Sequence, residues 1–294
     1  YTLLEVGLGG RYDATNVLAR PAAVGITPID YDHAEFLGRD LAGIAREKAG
    51  IFKRHVPAFS AAQAPLVRAV LDAEANKSGC DLSMHDEHFR AYAQQGRLVF
   101  EDDDQLLDLP LPALRGAHQV QNAGLAIAIA NALQISPKAI AKGLKNVKWP
   151  ARLQTITDGP LAAIAHKAGA ELWLDGGHNP HAGRALASSL ASLEAGQSRP
   201  LVLVTGMLAN KDAPGFLDAF DGLAHTLIAV PIDGHTSLLP ETLTDIAKGR
   251  GMRTMTADTV LDGVSKAAAI KSETPPRILI CGSLYLAGIV LGMS

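Results

Sequence analysis

The segment AAVGITPIDYDHAEFLGRDLAGIAREKAGIFKRHVPAFS, residues 22–60, decides the fold. Its first six residues, 22–27, read as a strand, and residues 56–60 read as another. Between them, from about Asp40, Leu41, Ile44, Ala45, Lys48, Ile51 and Phe52 recur at helical i, i+3, i+4 spacing. Strand, crossing helix and strand in this order form the unit of a parallel sheet.

The alternation continues in both directions. Upstream, residues 2–6 (TLLEV) read as a buried strand, followed by the glycine-rich loop GLGGRYDATN at residues 7–16. Downstream, a helix is expected at 64–78, an alanine-rich helix at 119–133, and a further helix that Ser136 caps and Pro137 starts. Residues 80–109 break the rhythm with short alternating segments, which suit a small antiparallel patch. Its acidic run, residues 101–104, is read as a solvated turn rather than a metal site. Trp149-Pro150-Ala151-Arg152 interrupts the helical pattern and marks a domain boundary, giving domains 1–150 and 151–294. In the second domain strands are expected at 153–157, 171–175, 201–205, 226–230 and 277–281. Helices are expected at 180–194, 213–220, 240–248 and 259–270. The fold class is therefore α/β.

Composition sets the outer limits. The chain has 294 residues, 48% hydrophobic and 19% charged, as expected of a globular protein with a large core. A net charge of -3 gives no electrostatic reason for a nucleic acid or membrane partner. The apolar tail at 278–293 is broken by Gly282, Ser283 and Gly288, and falls short of the ~20 residues that span a bilayer. Two cysteines, Cys80 and Cys281, suit a reducing, cytoplasmic setting without disulfides. The chain opens at Tyr1 inside a strand-like run, without a signal-peptide pattern, as a fragment would.

Several residue groups point to chemistry. Lys48 falls inside an apolar stripe, where a lysine either snorkels outward or is kept dry for a reaction. Asp30, Asp32, His33 and Glu35 stand just upstream, and with Lys48 they resemble part of a cation or phosphate site. The 7–16 loop has neither dinucleotide nor P-loop spacing. It is a plain loop with Asp13 and Asn16 as turn-formers, or a ligand loop. Glu5, near the C-terminal end of the expected buried strand, is costly there unless paired or bound to a cation. In LDGGHNPHAG, residues 174–183, helix capping accounts for Asn179 and Pro180 but not for Asp175 and His178. That turn suits a nucleotide ribose or phosphate, against a plain strand-to-helix connection. Arg152 is a surface arginine or a phosphate clamp at the domain boundary. His118, Gln119 and Asn122 stand at a helix start, where capping alone explains them. Lys211-Asp212 and Cys281-Gly282-Ser283 are read as structural turns.

Taken together, EVGLGGRYDATN, the segment containing EKAGI, GAHQVQNA, WPARLQ, LDGGHNPHAG, GMLANKD and CGSLYLAG resemble the folylpolyglutamate synthase/dihydrofolate synthase family of Mur-ligase-like amide ligases. They stand in that family's order along nearly the whole chain. The resemblance implies the remainder of a P-loop-type ATPase domain with a small antiparallel patch, followed by a smaller Rossmann-like domain that ligates glutamate. It implies that ATP phosphorylates a carboxylate of dihydropteroate or a folate, and that L-glutamate attacks the acyl phosphate. On the family's pattern Glu5 and His33 ligate Mg²⁺, and Lys48, carbamylated, helps hold a second Mg²⁺. Asn122 contacts adenine, Arg152 the phosphates and Asp175 the ribose of ATP. His178 lies near the transferring phosphoryl group, and Asp13 faces the pterin. Lys48, His178 and Arg152 form the implied catalytic set, in a monomer.

Two departures stand out. Gly177 replaces a usual alanine, with little consequence expected. The family's glycine-rich GK[ST] loop does not occur in these 294 residues, so this polypeptide alone is expected to have little or no ligase activity. The alternatives are a catalytically silent nucleotide- or folate-binding protein, and another Mur-type ligase.

Overall fold

The computed structural model describes residues 1–31, 38 and 40–293. They divide into two units, Tyr1–Ala113 with His118–Val147, and Leu114–Ala117 with Lys148–Ser294.

In the first unit β1 (Val24–Ile26), β2 (Pro57–Ser60) and β3 (Asp81–Met84) form a parallel sheet in the order β1-β2-β3. The connecting helices are α1 (Leu41–Lys48), followed by a 3₁₀ turn at Ala49–Ile51, and α2 (Pro65–Ser78). Asp40 caps α1 by accepting hydrogen bonds from the amides of Ala42 and Gly43. The helical stripe is buried as its spacing requires: Ile44, Ala45 and Phe52 pack with Ile26, Val67 and Leu71.

The strands β4 (Phe89–Gln94), β5 (Arg97–Asp102) and β6 (Leu106–Pro110) form the antiparallel patch. Asp102 closes its acidic turn by accepting from the amides of Asp104 and Gln105. One face packs on α3 (Ala117–Ala132) and α4 (Pro137–Asn146), through Leu98, Phe100, Leu125, Ile127 and Leu144. The side chain of Ser136 caps α4.

Two expectations for this unit fail. Residues 2–6 form no strand, and Thr2, Leu3, Leu4 and Glu5 are exposed. A strand exists only through ladder hydrogen bonds to a neighbour. β1 is an edge strand that pairs with β2 and, among the described residues, with nothing else. Glu5 therefore does not end a buried strand. Residues 81–84 instead run parallel to β2 and extend the first sheet.

The second unit is built on a six-stranded sheet in the order β11-β10-β9-β12-β8-β7. Its strands are β7 (Gln154–Thr155), β8 (Glu171–Leu174), β9 (Leu201–Thr205), β10 (Ala224–Ala229), β11 (Arg253–Thr256) and β12 (Arg277–Cys281). All pairings are parallel except β7 with β8. Central β9 and β12 are buried throughout, which is why LVLVT and RILIC read as unbroken apolar runs.

Their side chains alternate between two cores. Val202, Val204, Ile278 and Ile280 meet α5 (Gly159–Lys167), α9 (Val260–Ala268) and α10 (Leu284–Leu291). Leu201, Leu203, Leu279 and Cys281 meet α6 (Pro180–Gly196), α7 (Ala213–Asp218) and α8 (Pro240–Lys248). The sequence pattern predicts neither α5 nor β11. β11 is mostly exposed, so its RTMT run lacks the apolar signature of a core strand. No helix among the described residues is long and apolar enough to cross a membrane.

Candidate active site

In the second unit the chain between Trp149 and Gln154 makes an uncommon turn. Ala151 (φ 55°) and Leu153 (φ 41°) are both left-handed, a conformation that costs a non-glycine residue about 1–3 kcal/mol. Both are buried, and between them Arg152 is turned out to solvent. Three hydrogen bonds to these two residues offset the strain, and a fourth braces the Asp175 carboxylate that makes one of them. The Ala151 amide donates to Gln154 Oε1 at 2.9 Å, and its carbonyl accepts from the Gly176 amide at 2.9 Å. The Leu153 amide donates to Asp175 Oδ2 at 2.7 Å, and the Gly177 amide donates to Asp175 Oδ1 at 2.7 Å.

Asp175 thus joins the Arg152 turn to the turn that follows β8. It is 5% exposed, and burial raises its carboxyl above the ordinary range. The amides of Leu153 and Gly177 and the charges of Arg152 and His178 oppose that rise. Three residues on, His178 Nδ1 lies 2.8 Å from the Gly176 carbonyl. A carbonyl only accepts, so Nδ1 carries the hydrogen in this bond, which fixes the orientation of the ring. Asn179 then caps α6, accepting from the Ala182 amide at 2.8 Å, with Pro180 as its first residue. Gly176 leaves room for this packing, since a Cβ there would lie 2.4 Å from Leu284 Cδ2.

The structure therefore ties the turn that carries Arg152 to the turn that carries Asp175 and His178, predicted separately, just before one helix N-terminus. A helix N-terminus, a guanidinium and an imidazole are a recognition set for an oxyanion such as a phosphoryl group. Asp175 differs in kind from the other two, because both its oxygens are engaged by backbone amides. Sequence reasoning missed Gln154, whose side chain holds the strained turn. It also missed the ring pair His235 and Tyr285, centroids 3.7 Å apart and planes tilted by 30°. His235 stands in a loop and Tyr285 in the first turn of α10, fifty positions apart, so no local pattern announces them. Asp212 and Ser283 cap α7 and α10, as turn residues should.

The first unit has a cavity of about 670 Å³ whose lining includes Glu5, Asn16, Lys48 and Asn122. Lys48 ends α1 and is half-buried at this wall. The 7–16 loop is pressed against the same helix end. A Cβ on Gly10 would lie 2.8 Å from the Glu47 carbonyl oxygen, and one on Gly50 would lie 2.4 Å from Arg11 Cβ. The Arg11 amide donates to the Glu47 carbonyl at 3.0 Å, and Asn16 Nδ2 donates to the carbonyls of Arg11 and Gly50. These glycines thus serve close backbone packing.

Asp13 turns inward to its own loop. One oxygen accepts from the amides of Gly7 and Leu8, the other from the amide and hydroxyl of Thr15. The Thr15 hydroxyl leads these bonds in holding the carboxyl at about 2. Asn122 is exposed and donates to Gln119 Oε1 at 3.2 Å; Gln119 Nε2 lies 3.0 Å from His118 Nε2. Asp32, His33 and Glu35 lie outside the described residues. Among the described residues no group of three or more His, Cys, Asp or Glu could hold a metal ion.

Residues 152–284 match the family described as Mur ligase, glutamate ligase domain. The chain is 32% identical to folylpolyglutamate synthase of Lacticaseibacillus casei, over 98% of this chain and 65% of that protein. It is 32% identical to dihydrofolate synthase/folylpolyglutamate synthase of Mycobacterium tuberculosis, over 98% of this chain and 61% of that protein. Among solved structures it is similar to M. tuberculosis folylpolyglutamate synthase complexed with ADP and AMPPCP. The TM-score there is 0.77 at 32% identity, over 98% of this chain and 66% of that one. It is also similar to Escherichia coli FolC in complex with DHPP and ADP, with a TM-score of 0.82 at 28% identity, over 98% and 64% of the two chains. The chain spans slightly less than two thirds of the length of these relatives.

Proposed function

Since the chain belongs to the folylpolyglutamate synthase/dihydrofolate synthase family of Mur-type ligases, we propose that the protein joins L-glutamate to dihydropteroate or a folate at the expense of ATP. A carboxylate oxygen of the pterin substrate attacks the γ-phosphorus of ATP, forming a C–O–P linkage and releasing ADP. The amine of glutamate then attacks the acyl carbon, the bond to phosphate breaks, and the amine loses a proton as the amide forms. The observation that carries this reading is that Asp175 ties the backbone beside Arg152 to the turn that carries His178, just before the α6 N-terminus. Phosphoryl transfer of this kind depends on positioning and charge neutralisation, which a guanidinium on a braced turn, an imidazole and helix amides supply.

In this reading Arg152 binds the phosphates and His178 stands beside the transferring phosphoryl group. Asn122 contacts adenine, Asp175 meets the ribose and Asp13 the pterin. Residues 1–150 act as the ATP-binding domain and 151–294 as the glutamate-ligating domain, in a cytoplasmic monomer.

Glu5 and Lys48 line one cavity and supply a carboxylate and a half-buried amine. With His33 they suit Mg²⁺ once Lys48 is carbamylated, and two such ions would neutralise phosphate charge. Carbamylation joins the neutral Nζ of Lys48 to the carbon of CO₂ and releases one proton to solvent. Labelling with ¹³CO₂ and reading the carbamate carbon by NMR tests this; no signal from Mg-ATP-bound protein, with wild-type and Lys48→Arg spectra identical, rejects it.

The function itself is tested by glutamate-dependent ADP release from the natural full-length protein with dihydropteroate, tetrahydrofolate and a muramyl-peptide precursor. Turnover with either pterin substrate is expected. Turnover with the muramyl substrate alone rejects the folate assignment.

A further inference from the structure

Two left-handed non-glycine residues of the second unit flank Arg152, and a neutral residue holds one of them. Among the described residues six non-glycine positions have positive φ. Four are His55, Asp86, Gln95 and Gln134, polar residues of turns; the two aliphatic ones are Ala151 and Leu153. Aspartate and histidine are enriched in this conformation, whereas alanine and leucine bring no compensating side chain of their own. Each must therefore be held from outside. The Leu153 amide is held by Asp175, and the Ala151 amide by Gln154 Oε1 at 2.9 Å. Gln154 is itself fixed, because it is the first residue of β7 and pairs with Leu174, next to Asp175.

We infer that Gln154 is a positioning residue for nucleotide binding: its side-chain oxygen holds Ala151 in the left-handed conformation and so aims the Arg152 guanidinium at the phosphates. The inference rests on the assignment of Arg152 to the phosphates. Gln154 acts through the Ala151 backbone. Without its acceptor the Ala151 amide can turn to water, the turn relaxes toward ordinary φ, and Arg152 loses the direction that the braced backbone gives it.

The test uses the natural full-length protein. Gln154→Leu keeps the bulk and removes the acceptor; it is expected to raise KM for ATP about tenfold, with kcat changed less and KM for glutamate unchanged. Gln154→Glu keeps an acceptor oxygen in reach and is expected to stay within about twofold of wild type. Glycine takes positive φ at little cost, so Ala151→Gly combined with Gln154→Leu should lose less than Gln154→Leu alone. Native-state hydrogen exchange at the Ala151 amide should quicken in Gln154→Leu, showing a folded protein with an opened turn.

Arg152→Ala separates the two claims. If it raises KM for ATP and Gln154→Leu does not, the positioning role is wrong and the phosphate assignment stands. If neither variant changes KM for ATP, both are wrong. Equal losses in Gln154→Leu and Gln154→Glu, or uniform losses in every kinetic constant, also overturn the inference.

Discussion

The Leu153 amide and the Asp175 carboxylate are joined by a 2.7 Å hydrogen bond across 22 positions of sequence. Through it the turn that presents Arg152 and the turn that presents His178 become one structure. The second Asp175 oxygen takes the Gly177 amide at 2.7 Å, so the carboxylate is used as a double acceptor. Asparagine keeps one acceptor and sets an amide group against the remaining backbone N–H. Asp175→Asn is therefore expected to destabilise the protein by about 1–3 kcal/mol, read as a fall in the denaturation midpoint. An unchanged midpoint would mean that the two bonds do not hold the turns.

Two aspartates should respond to pH in opposite senses. Asp13 is lowered to about 2 by its Thr15 hydroxyl and loop amides, so folding favours its ionised form. Its stabilisation is present above the ordinary value near 3.8 and is lost as pH falls from there through 2. Asp175 is raised, chiefly by burial, so folding disfavours its ionised form. Its ionisation detracts from stability as pH rises from 3.8 through the folded value. Carboxyl-carbon NMR titration should place the two on either side of the ordinary range. Asp13→Asn should flatten the acid limb of the stability curve, and a limb identical to wild type would remove Asp13 from that account.

Gly50→Ala would place a Cβ 2.4 Å from Arg11 Cβ and 2.6 Å from its Cα, so the 7–16 loop must lift from α1. Overpacking of this kind costs about 1–3 kcal/mol. Because the loop sits beside Lys48, the loss in thermal stability should come with faster hydrogen exchange at the Arg11 amide. Wild-type exchange in a fully stable Gly50→Ala protein would show that the loop tolerates the methyl.

Arg277, 2% exposed, is the buried centre of an ion network. It bonds Glu171 at 2.8 Å, contacts Glu194, and reaches the Gln197 carbonyl at 3.3 Å. Burial would raise Glu171, yet the bonds from Arg277 and Trp173 and the charges of Arg277 and Arg199 hold it below the usual range. Arg277→Ala leaves two carboxylates without their main partner, at about 3–5 kcal/mol. Arg277→Met combined with Glu171→Gln and Glu194→Gln should recover a large part of that loss. Equal midpoints for the single and triple variants would rule out an unpaired-charge penalty.

Cys281 is fully buried at the end of β12, and burial pushes its thiol up to about 12. Thiolate is the reactive form, so Cys281 should resist alkylation at neutral pH until the protein unfolds. Cys80, only partly buried, should label first. Mass spectrometry of partly alkylated native protein reads the order, and early labelling of Cys281 would contradict its burial.

The sequence determined what is local. Asp40, Ser136, Asn179, Asp212 and Ser283 cap the helices they precede, because a cap is a bond between neighbours in the chain. The unbroken apolar runs of β9 and β12 announced strands covered on both faces. Ordered motifs were enough to identify the family. Tertiary structure decided the rest. TLLEV is as apolar as a strand, but without a ladder partner it is not one. The order β11-β10-β9-β12-β8-β7 places the last strand beside β8 and β9, a matter of edges meeting in space that no periodicity records. Asp175 and His178 stand out in the sequence as residues that capping does not explain, and Arg152 reads as a surface arginine or a phosphate clamp. Their union depends on two strained residues, one carboxylate used as a double acceptor, and Gln154. Those are long-range hydrogen bonds and backbone dihedrals, and they exist only once the strands have paired.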